Sequence, residues 1–181
     1  MALTATLRRF TVTLADSDRG VYETLDLRAA QHPSETDRYL VTRVLEAARE
    51  HAEGLDFTKG LSENDEPALW QRDLRGDLQA WIEVGSPSVE RLHKASKTGA
   101  RLVVYGWQRM PELAKEIASF GVHRAEELAL HAVDPKLLDT IAATLDRVNK
   151  WDLAVSGGQL YLTIGGKLFE GEIARVPVVI A

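Results

Sequence analysis

The stretch LQAWIEVGSPSVERLHKASKTGARLVVY, residues 78–105, decides the fold class. Its first seven residues, LQAWIEV (78–84), are rich in β-branched and aromatic types and read as a strand. Gly85-Ser86-Pro87-Ser88 follow as a turn, in which Ser86 or Ser88 caps a helix with Pro87 near the first helical position. Over 89–97, Val89, Leu92 and Ala95/Ser96 recur at helical spacing as an inner face, while Lys94 and Lys97 fall largely on the other side. After Gly99, RLVVY (101–105) is a continuous apolar run, the mark of a strand buried on both faces.

The flanks extend this mixture. Residues 3–15 (LTATLRRFTVTLA) and 21–29 are β-rich, and Asp16, Ser17, Asp18 and Gly20 make a turn between them, so a hairpin is predicted. A helix is predicted from Ser34, a good N-cap with Asp37 three residues on, to about Glu53, where Gly54 stops it. Leu40, Val41, Val44, Leu45, Ala48 and Ala52 make its core stripe, with Arg38, Arg43, Glu46, Arg49 and Glu50 off it. Short strands are expected at 55–61 and 70–74, around a polar acidic loop at 62–67. Beyond residue 110, helices are expected at 111–120 and 135–148, the second capped by Asp134 with Pro135 first. Strands are expected at 128–133, 151–155, 160–164 and 173–180, the last three linked by Gly157-Gly158 and Gly165-Gly166. The fold class is therefore α+β, or mixed α/β, in one domain over 1–181.

Composition narrows the function. The 181 residues are 45% hydrophobic and 27% charged, ordinary globular proportions that exclude a disordered chain. The absence of cysteine excludes a disulfide framework, thiolate zinc sites, iron–sulfur clusters and a cysteine nucleophile. No apolar h-region follows Arg8 and Arg9, and no run approaches the roughly 20 residues of a membrane helix, so a cytoplasmic protein without membrane attachment is expected. The net charge of −5 excludes a uniformly basic coat for nucleic acid but not a local patch. Residues 1–90 carry 17 acidic and 10 basic side chains, net −7, and residues 91–181 carry 10 and 12, net +2. Between Arg91 and Met110 there is no Asp or Glu, while Arg91, Lys94, Lys97, Arg101 and Arg109 all fall there. Such a stretch is either a solvated helix face with a strand end, or an anion-binding edge beside a metal site.

Metal catalysis on phosphodiesters needs two or three carboxylates converging on Mg²⁺, with a cation to steady the developing charge. Asp73 and Glu83 qualify by position: they flank a turn between two expected strands, and an antiparallel pair can bring both to one end of a sheet. Asp77 rivals Asp73. Glu83 sits inside Trp81-Ile82-Glu83-Val84, and an acid in a mostly buried strand usually has a partner or a ligand. Lys94 follows on the next helix, where it can equally snorkel into solvent. Glu35, on the first turn of the earlier helix, can reach a metal from the side or simply favour the helix dipole. Arg91, Lys94 and Lys97 are the candidates for contacting nucleic-acid phosphates. The histidines show no ligand spacing such as HExxH, no GxSxG, GxGxxG or GxxxxGK[ST] motif occurs, and Trp70, Trp81 and Trp107 read as core residues.

Several stretches together resemble the YaeQ family of bacterial proteins. They are Met1-Ala2-Leu3 opening a first strand, HPSET (32–36), FTKGLS (57–62), DEP (65–67), WIEVG (81–85) followed by Pro87, and RLHKAS (91–96). The resemblance covers nearly the whole chain and is most specific over 55–105. It implies a fold related to the restriction-endonuclease-like, PD-(D/E)XK nuclease superfamily. The core would run helix, three strands, helix, strand, with an N-terminal hairpin and C-terminal β additions. Carried over residue by residue, the first acid of the nuclease motif is Asp73 and the second is Glu83. The motif lysine belongs two residues later, at position 85, where this chain has glycine; in this reading Lys94 supplies it from the following helix. Glu35 matches the acid that many of these nucleases add from their first helix.

Two functions follow as expectations. The first is an Mg²⁺-dependent phosphodiesterase acting on nucleic acid, with Asp73, Glu83 and Glu35 holding the metal and Lys94 on the phosphate. The second is a non-catalytic descendant that binds nucleic acid or a protein partner, favoured by Gly85 and the acidic total charge.

Overall fold

Residues 4–180 are described here from a computed structural model; the Met1–Leu3 start of the first expected strand lies outside the described residues. The first hairpin, β1 (Thr6–Asp16) and β2 (Val21–Gln31), is followed by α1 (Asp37–Arg49), β3 (Leu55–Phe57), β4 (Leu69–Arg72) and β5 (Leu78–Val84). Next come α2 (Val89–Ser96), β6 (Arg101–Gly106), α3 (Met110–Phe120), β7 (Ala129–Val133) and α4 (Pro135–Ala142). The chain closes with β8 (Val148–Ser156), β9 (Gln159–Ile164) and β10 (Lys167–Val176). This is the mixed α+β composition read from 78–105. None of the described helices is long and apolar enough to cross a membrane.

The chain groups into two compact units, one taking residues up to Arg49 together with Asp134–Ile173, the other Glu50–Val133 and the residues from Ala174 on. No Pro/Gly-rich linker marks the divide, because the chain passes between the clusters inside ordinary turns and inside β10.

In the first unit the strand order is β2-β1-β8-β9-β10, with β1 and β8 parallel and the other neighbours antiparallel. Alternation on β1 buries Phe10, Val12 and Leu14 and exposes Thr11 and Thr13, so the sheet has one apolar face. Phe10 meets Trp151 edge to face, with ring centroids 5.1 Å apart. Trp151 is the fully buried tryptophan; Trp70, Trp81 and Trp107, expected in the core, are half-buried. Helix α1 packs against α4 and β2.

Helix α1 departs from its expected form in three ways. It begins at Asp37, and Thr36 rather than Ser34 caps it, its Oγ1 accepting from the Tyr39 N–H at 3.2 Å. The Ser34 N–H instead donates to His32 Nδ1. The helix ends at Arg49, not Glu53. Arg43 and Glu46, expected off the core stripe, are 3% and 0% exposed. Periodicity marks the apolar face but cannot show that a polar face is also covered.

Three other boundaries moved. Helix α4 stops at Ala142 instead of 148, because Asn149 Oδ1 accepts from the Asp146 N–H at 2.9 Å and holds a turn there. β10 spans Lys167–Val176 rather than 173–180, because Gly165 and Gly166, both at positive φ, fold the chain straight back onto β9. The short strand expected at 55–61 ends at Phe57.

The second unit contains 78–105 and matches its reading closely. β3, β4 and β5 form an antiparallel meander, and β5, β6 and β7 run parallel. Helices α2 and α3 are the crossovers that parallel neighbours require. Leu92, Val104, Met110, Ile117 and Leu130, each at most 2% exposed, form the core beneath them. Ser88 is the α2 N-cap, its Oγ accepting from the Arg91 N–H at 3.2 Å. β6 is buried from Leu102 to Gly106, as its apolar run implied.

Candidate functional site

The structure separates the two acids that spacing had paired. Asp73 lies in the β4–β5 turn, where its Oδ1 accepts from the Arg75 and Asp77 N–H groups, both at 2.9 Å, and its Oδ2 from Gln79 Nε2 at 3.1 Å. Its carboxylate is spent on closing its own turn. Glu83 lies at the other end of β5, and the extended chain from Asp77 to Glu83 measures roughly 20 Å. A strand pair can align two acids only if they sit at matching register. Here Leu69 is opposite Ile82, so the neighbours of Glu83 on β4 are near Ala68, just after Asp65-Glu66-Pro67.

Glu83 is 4% exposed, and its Oε1 accepts from two side chains, Trp81 Nε1 and Arg91 Nε, each at 2.7 Å. Arg91 goes further, donating to the carbonyls of Asn64 and Glu66. One helix turn on, Lys94 Nζ pairs with Asp65 Oδ1 at 3.0 Å. The loop itself is braced from within: Thr58 Oγ1 donates to the Pro67 carbonyl, and Glu66 Oε2 accepts from the Lys59 N–H at 3.1 Å. Four separate stretches, 57–62, 65–67, 81–85 and 91–96, therefore meet around one ion pair. The DEP stretch, and not Asp73, is what accompanies Glu83. The signal in the sequence was the Arg91/Lys94 spacing of three, which puts two cations on adjacent turns beside the acidic loop.

Gly85 has a physical reason. It follows β5 at φ +89°, a conformation that side-chain-bearing L residues rarely adopt. Beside it, a Cβ on Gly106 would stand 2.5 Å from the Gly85 carbonyl oxygen. Position 85, to which the resemblance would assign a lysine, is thus one where the backbone selects glycine.

Glu35 belongs to the first unit. It is 7% exposed and takes a bidentate pair of bonds from Arg43, at 2.7 and 2.9 Å, with a further bond from the His32 N–H at 3.1 Å. Burial pushes its carboxyl up from the ordinary value, against the pull of Arg43. The HPSET stretch therefore carries a buried ion pair. Asp73, Glu83 and Glu35 take three different sets of partners, and no group of three or more His, Asp or Glu among the described residues is arranged to hold a metal. The Mg²⁺ site implied by the resemblance does not fit these side chains as they are placed.

A second cluster was not read from the sequence. Glu50 accepts from the Tyr105 hydroxyl at 2.7 Å and from Arg101 Nη2 at 2.6 Å, and Tyr105 stacks on His131 with centroids 4.5 Å apart. Burial opposes ionisation of Glu50, but Arg101 and the Tyr105 hydroxyl outweigh it and hold its carboxyl below the ordinary 4.5. Residues 50 and 105 sit 55 apart in sequence, so no local pattern joins them.

The family model for YaeQ protein matches residues 1–173. The chain belongs to the YaeQ family. Over 172 residues it is 30% identical to the uncharacterized YaeQ protein of Escherichia coli strain K12, covering 90% of this chain and 91% of that one. The YaeQ protein of Salmonella typhi is 28% identical over the same length. Among solved structures, YaeQ from Xanthomonas axonopodis pv. citri is 32% identical, superimposes with a TM-score of 0.87, and matches 97% of this chain and 100% of its own. YaeQ from Pseudomonas syringae is 31% identical with a TM-score of 0.87, covering 95% and 96%. The YaeQ fold thus accounts for both units.

Proposed function

We propose that this member of the YaeQ family is a non-catalytic binder of nucleic-acid phosphates that retains a nuclease-like scaffold. The observation that carries the reading is the state of Glu83, whose Oε1 is taken by Arg91 and Trp81. A buried carboxylate already neutralised by a guanidinium is a structural anchor, and withdrawing Arg91 would also remove its bonds to the Asn64 and Glu66 carbonyls. The scaffold reading is supported by element order, since α1, β3, β4, β5, α2 and β6 follow the helix–three strands–helix–strand sequence. Binding is assigned to the C-terminal end of α2, where Lys94 and the C-cap Lys97 are exposed and no acid follows Glu90 in the chain until Glu112. The Lys94–Asp65 pair that covers this end is itself exposed, at 79% and 87%, so a phosphate can replace Asp65 at little cost.

Fluorescence anisotropy with labelled single- and double-stranded DNA and RNA, at about 50 and 200 mM salt, tests this. Salt-sensitive binding that Lys94→Glu and Lys97→Glu both weaken is expected, with no cleavage in Mg²⁺ or Mn²⁺. Cleavage by the wild type that Glu83→Gln removes would establish the phosphodiesterase instead. Absence of binding to every strand at the lower salt defeats the proposal.

A further inference from the structure

In the second unit, β10 gives way at Val176 to Pro177-Val178-Val179-Ile180. The ladder stops there because Pro177 has no N–H to give it. Three β-branched residues then favour an extended backbone over a helix. Val176 and Val178 pack onto the core beneath α3. Val179 and Ile180 are 75% and 50% exposed. None of Val178, Val179 and Ile180 forms a backbone hydrogen bond with another described residue. Between this stretch and α3 lies a groove of about 420 Å³. Pro111 and Ala114 wall it from the helix, and Val176, Pro177 and Val179 from the other side. Lys115 and Arg175 complete its lining; both are exposed, and neither forms an ion pair with a described residue.

We propose that this groove docks a short extended segment of a partner protein, apolar at its centre and acidic at its flanks. Three features select that occupant. The first is the backbone of 178–180, whose N–H and C=O groups have water as their partner until another strand adds beside them. The second is the wall. Pro111, Ala114, Pro177 and Val179 offer apolar surface at the protein–water boundary, and alternate side chains of an extended peptide fall on one side to meet it. The third is charge. No acid lines the groove, and Glu112, three residues before Lys115 on α3, pairs with neither cation. Lys115 from the helix and Arg175 from β10 therefore present two uncompensated positive charges beside an apolar floor. Acidic side chains at the ends of the segment complement them. An acyl chain with a carboxylate would satisfy the wall and the cations but leave the backbone groups of 178–180 without partners, so the observations favour a peptide. A groove of this size takes only a few residues, which makes the contact weak and transient. The assignment is separate from strand binding at α2, since Lys94 and Lys97 do not line the groove.

¹H–¹⁵N NMR titrations of the full chain with three blocked pentapeptides, of sequence EVSIE, KVSIK and ESSSE, and with decanoate test the proposal. EVSIE should shift the amides of Val178, Val179 and Ile180 together with those of Ala114 and Lys115. KVSIK should bind more weakly, and ESSSE should leave these amides unmoved. Lys115→Glu and Arg175→Glu should each weaken EVSIE about fivefold, the upper worth of an exposed ion pair. The double variant should prefer KVSIK to EVSIE, an inversion that structural damage does not produce. Val179→Asp should abolish EVSIE binding by replacing an apolar wall with a like charge. All three side chains are exposed, so none of these variants threatens folding. No shift with EVSIE, equal binding of EVSIE and KVSIK, or no inversion in the double variant overturns the site. Shifts with decanoate and none with EVSIE would make the groove a site for an anionic amphiphile and would equally overturn the peptide.

Discussion

Glu83 and Arg91 meet at 2.7 Å across the junction between β5 and α2, and the same arginine holds two carbonyls of the loop before β4. One side chain therefore fixes a strand, a helix and a loop together. Arg91→Ala should leave the Glu83 carboxylate buried with Trp81 as its remaining donor, costing about 3 kcal/mol. For a chain of this length that lowers the melting temperature by roughly 6–12 °C. Glu83→Gln keeps an acceptor and should cost only about 1 kcal/mol. Thermal melts of both variants check the order; equal losses would contradict it.

Lys94 and Asp65 form the outer, exposed part of the same junction. Asp65→Asn should change stability by less than about 0.5 kcal/mol, because exposed ion pairs contribute little. If α2 binds phosphates, the same change should raise affinity for a labelled strand by removing a competing anion. Unchanged affinity with unchanged stability would remove Asp65 from that competition.

Gly85→Lys restores the lysine of the nuclease motif on paper. At φ +89° it should instead cost about 1–2 kcal/mol of stability, read by denaturant titration, and yield no cleavage. A stable Gly85→Lys variant that cuts nucleic acid in Mg²⁺ would contradict this expectation.

Glu50 gives the second unit an acid limit. Its folded-state pKa is depressed, so the stability it contributes is complete above the ordinary 4.5 and is lost as pH falls through the lower, folded value. Tyr105→Phe removes one of the two donors, costing about 1 kcal/mol at neutral pH and making the acid limb shallower. Urea titrations at pH 7 and across the range below 4.5 measure both; a parallel limb in the variant would rule out the Tyr105 contribution.

Glu35 and Arg43 are both nearly inaccessible, at 7% and 3% exposed. Glu35→Ala takes the carboxylate from a buried guanidinium that also donates to the Ala30 carbonyl, and should cost roughly 3 kcal/mol. Replacing both by leucine should recover much of that loss, which a double-mutant cycle in denaturant measures.

Much of the fold was legible because its signals were local. Ser88, Asp134-Pro135 and Gly157-Gly158 act within a few residues, and the structure uses each as its chemistry suggests. The burial of Leu102–Tyr105 followed from composition alone. What failed to show was pairing at a distance. Arg43 and Glu46 sit on a helix face that looks solvated until a second layer covers it. Asp73 and Glu83 looked like partners because strand register is invisible in spacing, whereas Asp65, Glu66 and Arg91 meet only through the meander. Glu83 itself was legible, since a buried acid in a strand demands a partner; spacing left the partner's identity open.

The parallel pairing of β1 with β8 sets a timing problem for synthesis. Asp16 ends β1, and Val148 begins β8 more than 130 residues later. At about 5–20 residues per second the first hairpin waits roughly 7–25 s with one edge of β1 open, while all of Glu50–Val133 emerges and can fold first. During that interval the open edge of β1 is a site where another strand can pair, a hazard that ends only when β8 docks.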